Sequence, residues 1–186
     1  MNMACIQTQI EKSITDFNGS TTSCSPWLFL GATLKKKSKN GPKIQKIVAF
    51  GGGSLGFARN KEFGFANGSI LAAQTQHAAL NSIRQKLEII YRDKNDHHYK
   101  IDVYLQDPSY TEEDKKAAKK FFNMTIVDGT VGFGEAWLEL DESTLVFDLR
   151  CINSFPPLYQ IIFEITRPFA IISVDRWEPD PARDEE

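Results

Sequence analysis

Apolar positions recur along this chain with two periods, and the switching between them predicts the architecture. Residues 3–17 place Ile6, Ile10, Ile14 and Phe17 at spacings of four and three, one face of a short amphipathic helix. Asn18-Gly19-Ser20 ends it. Pro26–Leu34 (PWLFLGATL) is largely apolar and fits a short strand or a packed loop. Lys35–Lys46 follows with six lysines around an Asn40-Gly41-Pro42 turn, the pattern of a solvated connection or, less simply, of an anion- or nucleic-acid-binding patch, which would lack interleaved aromatics. Ile47–Phe50 is then a continuous apolar run, as expected of a strand buried on both faces of a parallel sheet. A helix is predicted over about Ser69–Tyr91, with Ser69 as its N-cap and Ala73, Gln76, Leu80, Ile83, Leu87 and Ile90 on one stripe. Further strands are read at Ile101–Leu105, Thr125–Val127, Thr144–Phe147 and Ala170–Val174. Thr111 caps a helix whose first turn holds Glu112, Glu113 and Asp114, where the helix dipole favours negative charge. Pro157 suits the first position of another helix, running to about Thr166.

Strands alternating with helices imply right-handed crossovers and a parallel sheet. The expected fold is therefore α/β: a Rossmann-like, doubly wound, mostly parallel five-stranded sheet of order 3-2-1-4-5, with an N-terminal helical extension. Residues 1–43 would pack on a domain spanning 44–176, and 177–186 would form a disordered acidic tail. Such an order sets a ligand crevice at the carboxyl ends of the first and fourth strands.

Composition narrows the partners more than the fold. The 186 residues carry a net charge of −2, which supplies no global field for nucleic acid or anionic membrane. No stretch reaches the roughly 20 apolar residues of a membrane span, and residues 1–13 hold no apolar run of signal-peptide length. Cys5, Cys24 and Cys151 form neither a metal pattern nor a disulfide framework, which points to a reducing compartment. The expectation is a cytoplasmic protein with access to the nucleus, in which the sequons at Asn18, Asn67 and Asn123 are chance matches. Its partner would be a small-molecule ligand. Cofactor and oligomeric state stay open.

The candidate chemistry gathers at strand ends. Gly51-x-Gly53-x-x-Gly56 follows the first strand with the spacing of a dinucleotide-binding turn. A helix should open inside that motif to face a pyrophosphate, yet Phe57–Gly68 intervenes. The turn thus reads as structural, or as the wall of some other small-molecule site. Its amides would hold an anionic or polar group, and Asp107 would accept from ligand hydroxyls. Asp107, Asp128, Asp148 and Asp175 recur at strand ends. This resembles S-adenosylmethionine-dependent methyltransferases, where an acid after the second strand holds ribose hydroxyls, although the closing antiparallel pair of that fold is not read here. Simple capping of the following turns explains each aspartate equally. His77 is a candidate general base, with Ser54 and Asp107 completing a triad-like set, or else a helix-flank histidine bonded to a loop. The Ser54 context, G-G-S-L-G, is not a nucleophile elbow. His97 and His98 read as surface residues of a polar turn, and Cys151 as a small buried residue or, less simply, a thiolate or haem ligand. Glu135 and Trp137 follow a Gly132-x-Gly134 loop that either closes on a ligand or delivers Trp137 to the core. No metal site is read.

Taken together, IVAFGGGSLG, a long helix carrying Gln76-His77, and VYLQDP followed by Tyr110 and Asp114 resemble the Sensitivity to Red Light Reduced (SRR-like) domain. VDGTVGFGEA, TLVFDL and FPPLYQIIFEITRPFAIISVD look like its fungal members. The resemblance covers about residues 44–176. It implies a Rossmann-like fold with a long loop after the glycine turn, and a link to light signalling, circadian control, cytoskeletal stability or haem metabolism without an agreed reaction. The leading expectation is a nucleotide- or S-adenosylmethionine-like small-molecule binder with a regulatory or metabolic role. Its pocket would be lined by Gly51, Gly53, Ser54, Gln76, Asp107, Tyr110, Asp128 and Asp148, with His77, Asp107 and Tyr110 as catalytic candidates. The alternatives are a cofactor-independent cyclase- or isomerase-type enzyme of fungal secondary metabolism, and a protein-interaction module with a vestigial crevice.

Overall fold

The structure is a computed structural model. It describes residues 7–12, 15, 33, 36, 43–56, 67–92, 98–127, 134–149 and 158–173. Five strands carry the fold: β1 (Lys46–Phe50), β2 (Asp102–Gln106), β3 (Thr125–Ile126), β4 (Thr144–Asp148) and β5 (Ala170–Ser173). They form one sheet in the order β3-β2-β1-β4-β5, and every neighbouring pair is parallel. This is the expected doubly wound order, with the sheet wholly parallel. The reason is visible in β1, where Ile47 and Ala49 join one core cluster while Val48 and Phe50 join another. Each successive residue turns to the opposite face, and both faces are covered, so no polar alternation survives in the sequence.

On one face pack α1 (Asn67–Tyr91) and α2 (Glu112–Ala117). Leu80, Ile83 and Leu87 of α1 join Ile47, Val103, Leu105, Leu145 and Phe147 in the larger core. The other face is covered by a 3-10 turn (Glu135–Glu139), in a stretch whose sequence reads as loop, and by α3 (Leu158–Ile165), through Ala136, Leu140 and Ile162. Residues 7–12 and 15 are helical, and Ile10 is fully buried in the larger cluster, so the N-terminal helix packs on the core. Thr33 and Lys36 are helical too, in place of the expected strand or loop. Ala32, Leu34, Lys35 and Lys37 around them favour helix, a preference that the apolar run before them masks.

Two helix boundaries differ from the periodicity. Helix α1 starts at Asn67, so Ser69 lies within its first turn and is not its cap. Helix α2 widens into a π-helical stretch (Ala118–Phe122), closed by Asn123 in the left-handed region at φ 50°. The Asn123 and Met124 amides return to the carbonyls of Lys119 and Ala118, which satisfies the helix end. Apolar spacing carries no sign of such a widening, because Ala118 and Phe122 sit one turn apart in either geometry. No described helix is long and apolar enough to cross a membrane.

Candidate functional site

The glycine bend leaves the carboxyl end of β1 beside the ends of β2 and β4. Gly51 (φ 77°), Gly53 (φ 71°) and Gly56 (φ 118°) all take positive φ, which side chains rarely tolerate. Gly52 meets a different demand. A Cβ there would stand 2.4 Å from the Tyr110 hydroxyl and 3.2 Å from His77 Cε1. The bend is therefore pressed onto Tyr110 and His77 on that side.

Two aspartates from the β2–α2 segment hold the bend in place. The Gly53 amide donates to Asp107 Oδ2 at 2.9 Å, while Asp107 Oδ1 accepts from the Ser109 amide at 2.8 Å and from its hydroxyl. The Leu55 amide donates to Asp114 Oδ1 at 2.8 Å, and the Ser54 hydroxyl donates to the same carboxylate at 2.9 Å. Asp114 also closes the α2 capping box: its Oδ2 accepts from the Thr111 amide and hydroxyl, and its own amide donates to Thr111 Oγ1. Sequence reasoning places Asp114 in the first turn of a helix, as a partner of its dipole. It is fully buried, and its bond to Leu55 spans 59 residues, a contact no local signal can announce. Two further amides of the bend are met by protein as well, Gly51 by the Gln106 carbonyl at 3.0 Å and Gly56 by Ser54 Oγ at 3.2 Å.

The glutamine that reaches the bend is Gln74, whose Nε2 donates to the Leu55 carbonyl at 3.0 Å. Gln76 is half-buried one step round the helix. The signal lay in the helical period: Gln74, His77 and Asn81 share a face at spacings of three and four, and all three are buried. Apolar counting assigns polar residues to solvent and so passes over such a face.

His77 is enclosed, and its tautomer follows from its partners. Nδ1 lies 2.6 Å from the Ala73 carbonyl, which can only accept, so Nδ1 carries the proton. Nε2 then accepts from the Tyr110 hydroxyl at 2.8 Å. Burial lowers the His77 pKa below its ordinary 6.5. Burial, with Asp107 and Asp114 nearby, pushes the Tyr110 phenol well above 10. Both groups are thus neutral near pH 7. The triad-like set is not assembled: the Ser54 hydroxyl donates to Asp114, Asp107 binds Gly53 and Ser109, and His77 has both nitrogens engaged.

A pH dependence is expected from this burial. The unfolded chain binds a proton on His77 near pH 6.5, and the folded chain resists it to lower pH. The stabilisation is complete above pH 6.5 and falls away as pH drops toward the folded value, by up to about 1.4 kcal/mol per pH unit. Thermal melts between pH 7.5 and 5 should show this slope, and His77→Gln should flatten it. Equal slopes in the two proteins would refute the assignment.

The other candidate residues are dispersed between the strand ends, the second core cluster and the surface. Asp148 is fully buried at the end of β4, in register with Phe50 and Ser173. Trp137 packs on Phe50 with ring centroids 4.7 Å apart, in the second core cluster. Gly134 (φ 70°) lies against the Gln106 side chain, whose Oε1 accepts from the Ala136 amide at 2.9 Å. Glu135 and His98 are not enclosed as His77 is. Asp128, Asp175, Cys151 and His97 lie outside the described residues, as do Gly132, Pro157 and the acidic tail. Among the described residues, no group of three or more His, Cys, Asp or Glu is placed to hold a metal ion.

No curated protein and no solved structure matches this chain significantly. A family model does: that of the SRR1 domain, over residues 30–167. That span runs from the connection before β1 through β4 and α3, and includes the glycine bend with both aspartates that hold it. The chain belongs to the SRR1 domain family.

Proposed function

We propose that this domain binds a small molecule of nucleotide- or S-adenosylmethionine-like type, in a regulatory or metabolic role, at the carboxyl edge of the sheet between β1 and β4. The observation that carries the reading is topological. The chain leaving β1 returns through α1 on one face, whereas the chain leaving β4 returns through α3 on the other. Connections that diverge this way leave a crevice at the strand ends, where ligands of open α/β sheets bind. The glycine bend borders that position, and the buried Asp148 ends β4 next to it.

Thermal melting with S-adenosylmethionine and with adenosine tests this. A ligand at 100 times its Kd stabilises by about 2.7 kcal/mol, which raises the Tm by roughly 5–10 °C for a domain of this size. Melts that do not move with either compound would remove the proposal.

A second reading, a cofactor-independent enzyme of cyclase or isomerase type, draws on the aromatic pair Phe50–Trp137 near the same edge. An apolar wall of this kind suits catalysis by shape and a few polar contacts. In that case Trp137→Ala should reduce turnover of the substrate, with no requirement for nucleoside binding.

A further inference from the structure

The bonds made by the glycine bend carry the binding proposal further, to the class of ligand the site admits, and they bear on function only if that proposal holds. In dinucleotide-binding folds the amides of such a bend, and the helix that opens within it, face a pyrophosphate. Here the Gly53, Leu55 and Gly56 amides are already taken. Asp107 accepts from the Gly53 amide at 2.9 Å and Asp114 from the Leu55 amide at 2.8 Å. The Gly56 amide reaches Ser54 Oγ, and that hydroxyl in turn donates to Asp114. The bend itself, Gly51 to Gly56, is not helical, so no helix opens within it.

We infer that Asp107 and Asp114 are built-in occupants of anion positions in the bend, so that within the proposed class this site takes the phosphate-free members, nucleosides and S-adenosylmethionine, and turns away nucleotide phosphates and pyrophosphate. An entering phosphate would have to displace a carboxylate from its amide. The displaced group stays tethered beside the newcomer with the same charge, and like charges held close in a partly dry site repel. None of the three side chains seen to bond the bend, Gln74, Asp107 and Asp114, offers a compensating cation. Specificity then arises by rejection as much as by attraction. Asp107 is the residue that sets it. Asp114 is fully buried and also caps α2, whereas Asp107 is partly exposed and, among the described residues, is seen to bond the bend and its own turn.

Titration calorimetry on the full chain with inorganic pyrophosphate, at constant ionic strength, decides between rejection and acceptance. Wild type should show no binding at millimolar pyrophosphate. Asp107→Asn removes the charge and keeps an acceptor; Asp107→Ser removes the carboxylate and covers the case in which the first variant misfolds. Either folded variant should gain at least about tenfold in pyrophosphate affinity, equivalent to about 1.4 kcal/mol. Pyrophosphate binding by wild type as tight as by the variants overturns the inference. So does a folded variant that remains indifferent to the probe. A separate arm uses adenosine and S-adenosylmethionine on wild type. Silence there, with pyrophosphate binding gained by the variants, ends the nucleoside reading but leaves the rejection of phosphate standing.

Discussion

Gly52→Ala is expected to destabilise the domain by about 2–4 kcal/mol, the sum of an overpacking cost and a broken buried hydrogen bond. Torsion is not the cause, because Gly52 is not among the positive-φ glycines. Space is the cause: the added carbon would lie 2.4 Å from the Tyr110 hydroxyl. Tyr110 cannot swing aside freely, since its hydroxyl donates to His77 Nε2, and His77 is pinned through Nδ1 to the Ala73 carbonyl. Movement of Tyr110 would leave a fully buried imidazole nitrogen without its donor. For a domain of this size the Tm should fall by roughly 5–15 °C. A double-mutant cycle identifies the mechanism. Tyr110→Phe forfeits the hydrogen bond but removes the obstructing oxygen, so Gly52→Ala should cost less in that background. The expected coupling is about 1 kcal/mol or more. Strict additivity would show that the clash is relieved elsewhere and that the bend does not rest on Tyr110.

The same contacts explain why the sheet was legible in the sequence and the site only in part. Strands β1 and β4 are buried on both faces, and a strand in that position must be an unbroken apolar run such as Ile47–Phe50 or Leu145–Phe147. The connections between strands then leave few topologies open, and the observed order is one of them. Within the site, the cap at Thr111 was legible because capping is local: Thr111 and Asp114 are three residues apart. The other half of Asp114's role lies at Ser54 and Leu55, on the opposite side of a 25-residue helix, and nothing near Asp114 in the sequence marks it. His77 shows a related limit. Its sequence reads as a helix-flank histidine bonded to a loop, and Tyr110 of the β2–α2 loop does bond it. What the sequence does not signal is that it is fully enclosed, with the Ala73 carbonyl satisfying its other nitrogen. A polar side chain can be buried once its partners are supplied, and those partners come from tertiary structure.

Removal of Asp114 should be more damaging than the change at Gly52, because one carboxylate joins two elements. Asp114→Ala deserts four donors at once: the Ser54 hydroxyl, the Leu55 amide, and the Thr111 amide and hydroxyl. Bonds to a charged acceptor contribute about 1.5–3 kcal/mol each, and buried donors left unmet cost about 1–3 kcal/mol. Water can reach part of the Thr111 end, which is half-buried, but not the enclosed Leu55 amide. The expected loss is about 4–6 kcal/mol, comparable with the whole stability of a small domain. Asp114→Asn keeps the size but turns an amide hydrogen toward groups that are themselves donors, so about 2–4 kcal/mol should be lost. Thr111→Val and Ser54→Ala each remove one arm and should cost about 1 kcal/mol. Denaturant melts give the order, and amide exchange locates the effect: in the Asn variant, protection at Leu55 should fall together with protection in the first turn of α2. If Thr111→Val proves as costly as Asp114→Ala, or if Leu55 stays protected without the carboxylate, then Asp114 is only a helix cap. The glycine bend would in that case keep its shape through Gly51, Asp107 and Gln74 alone.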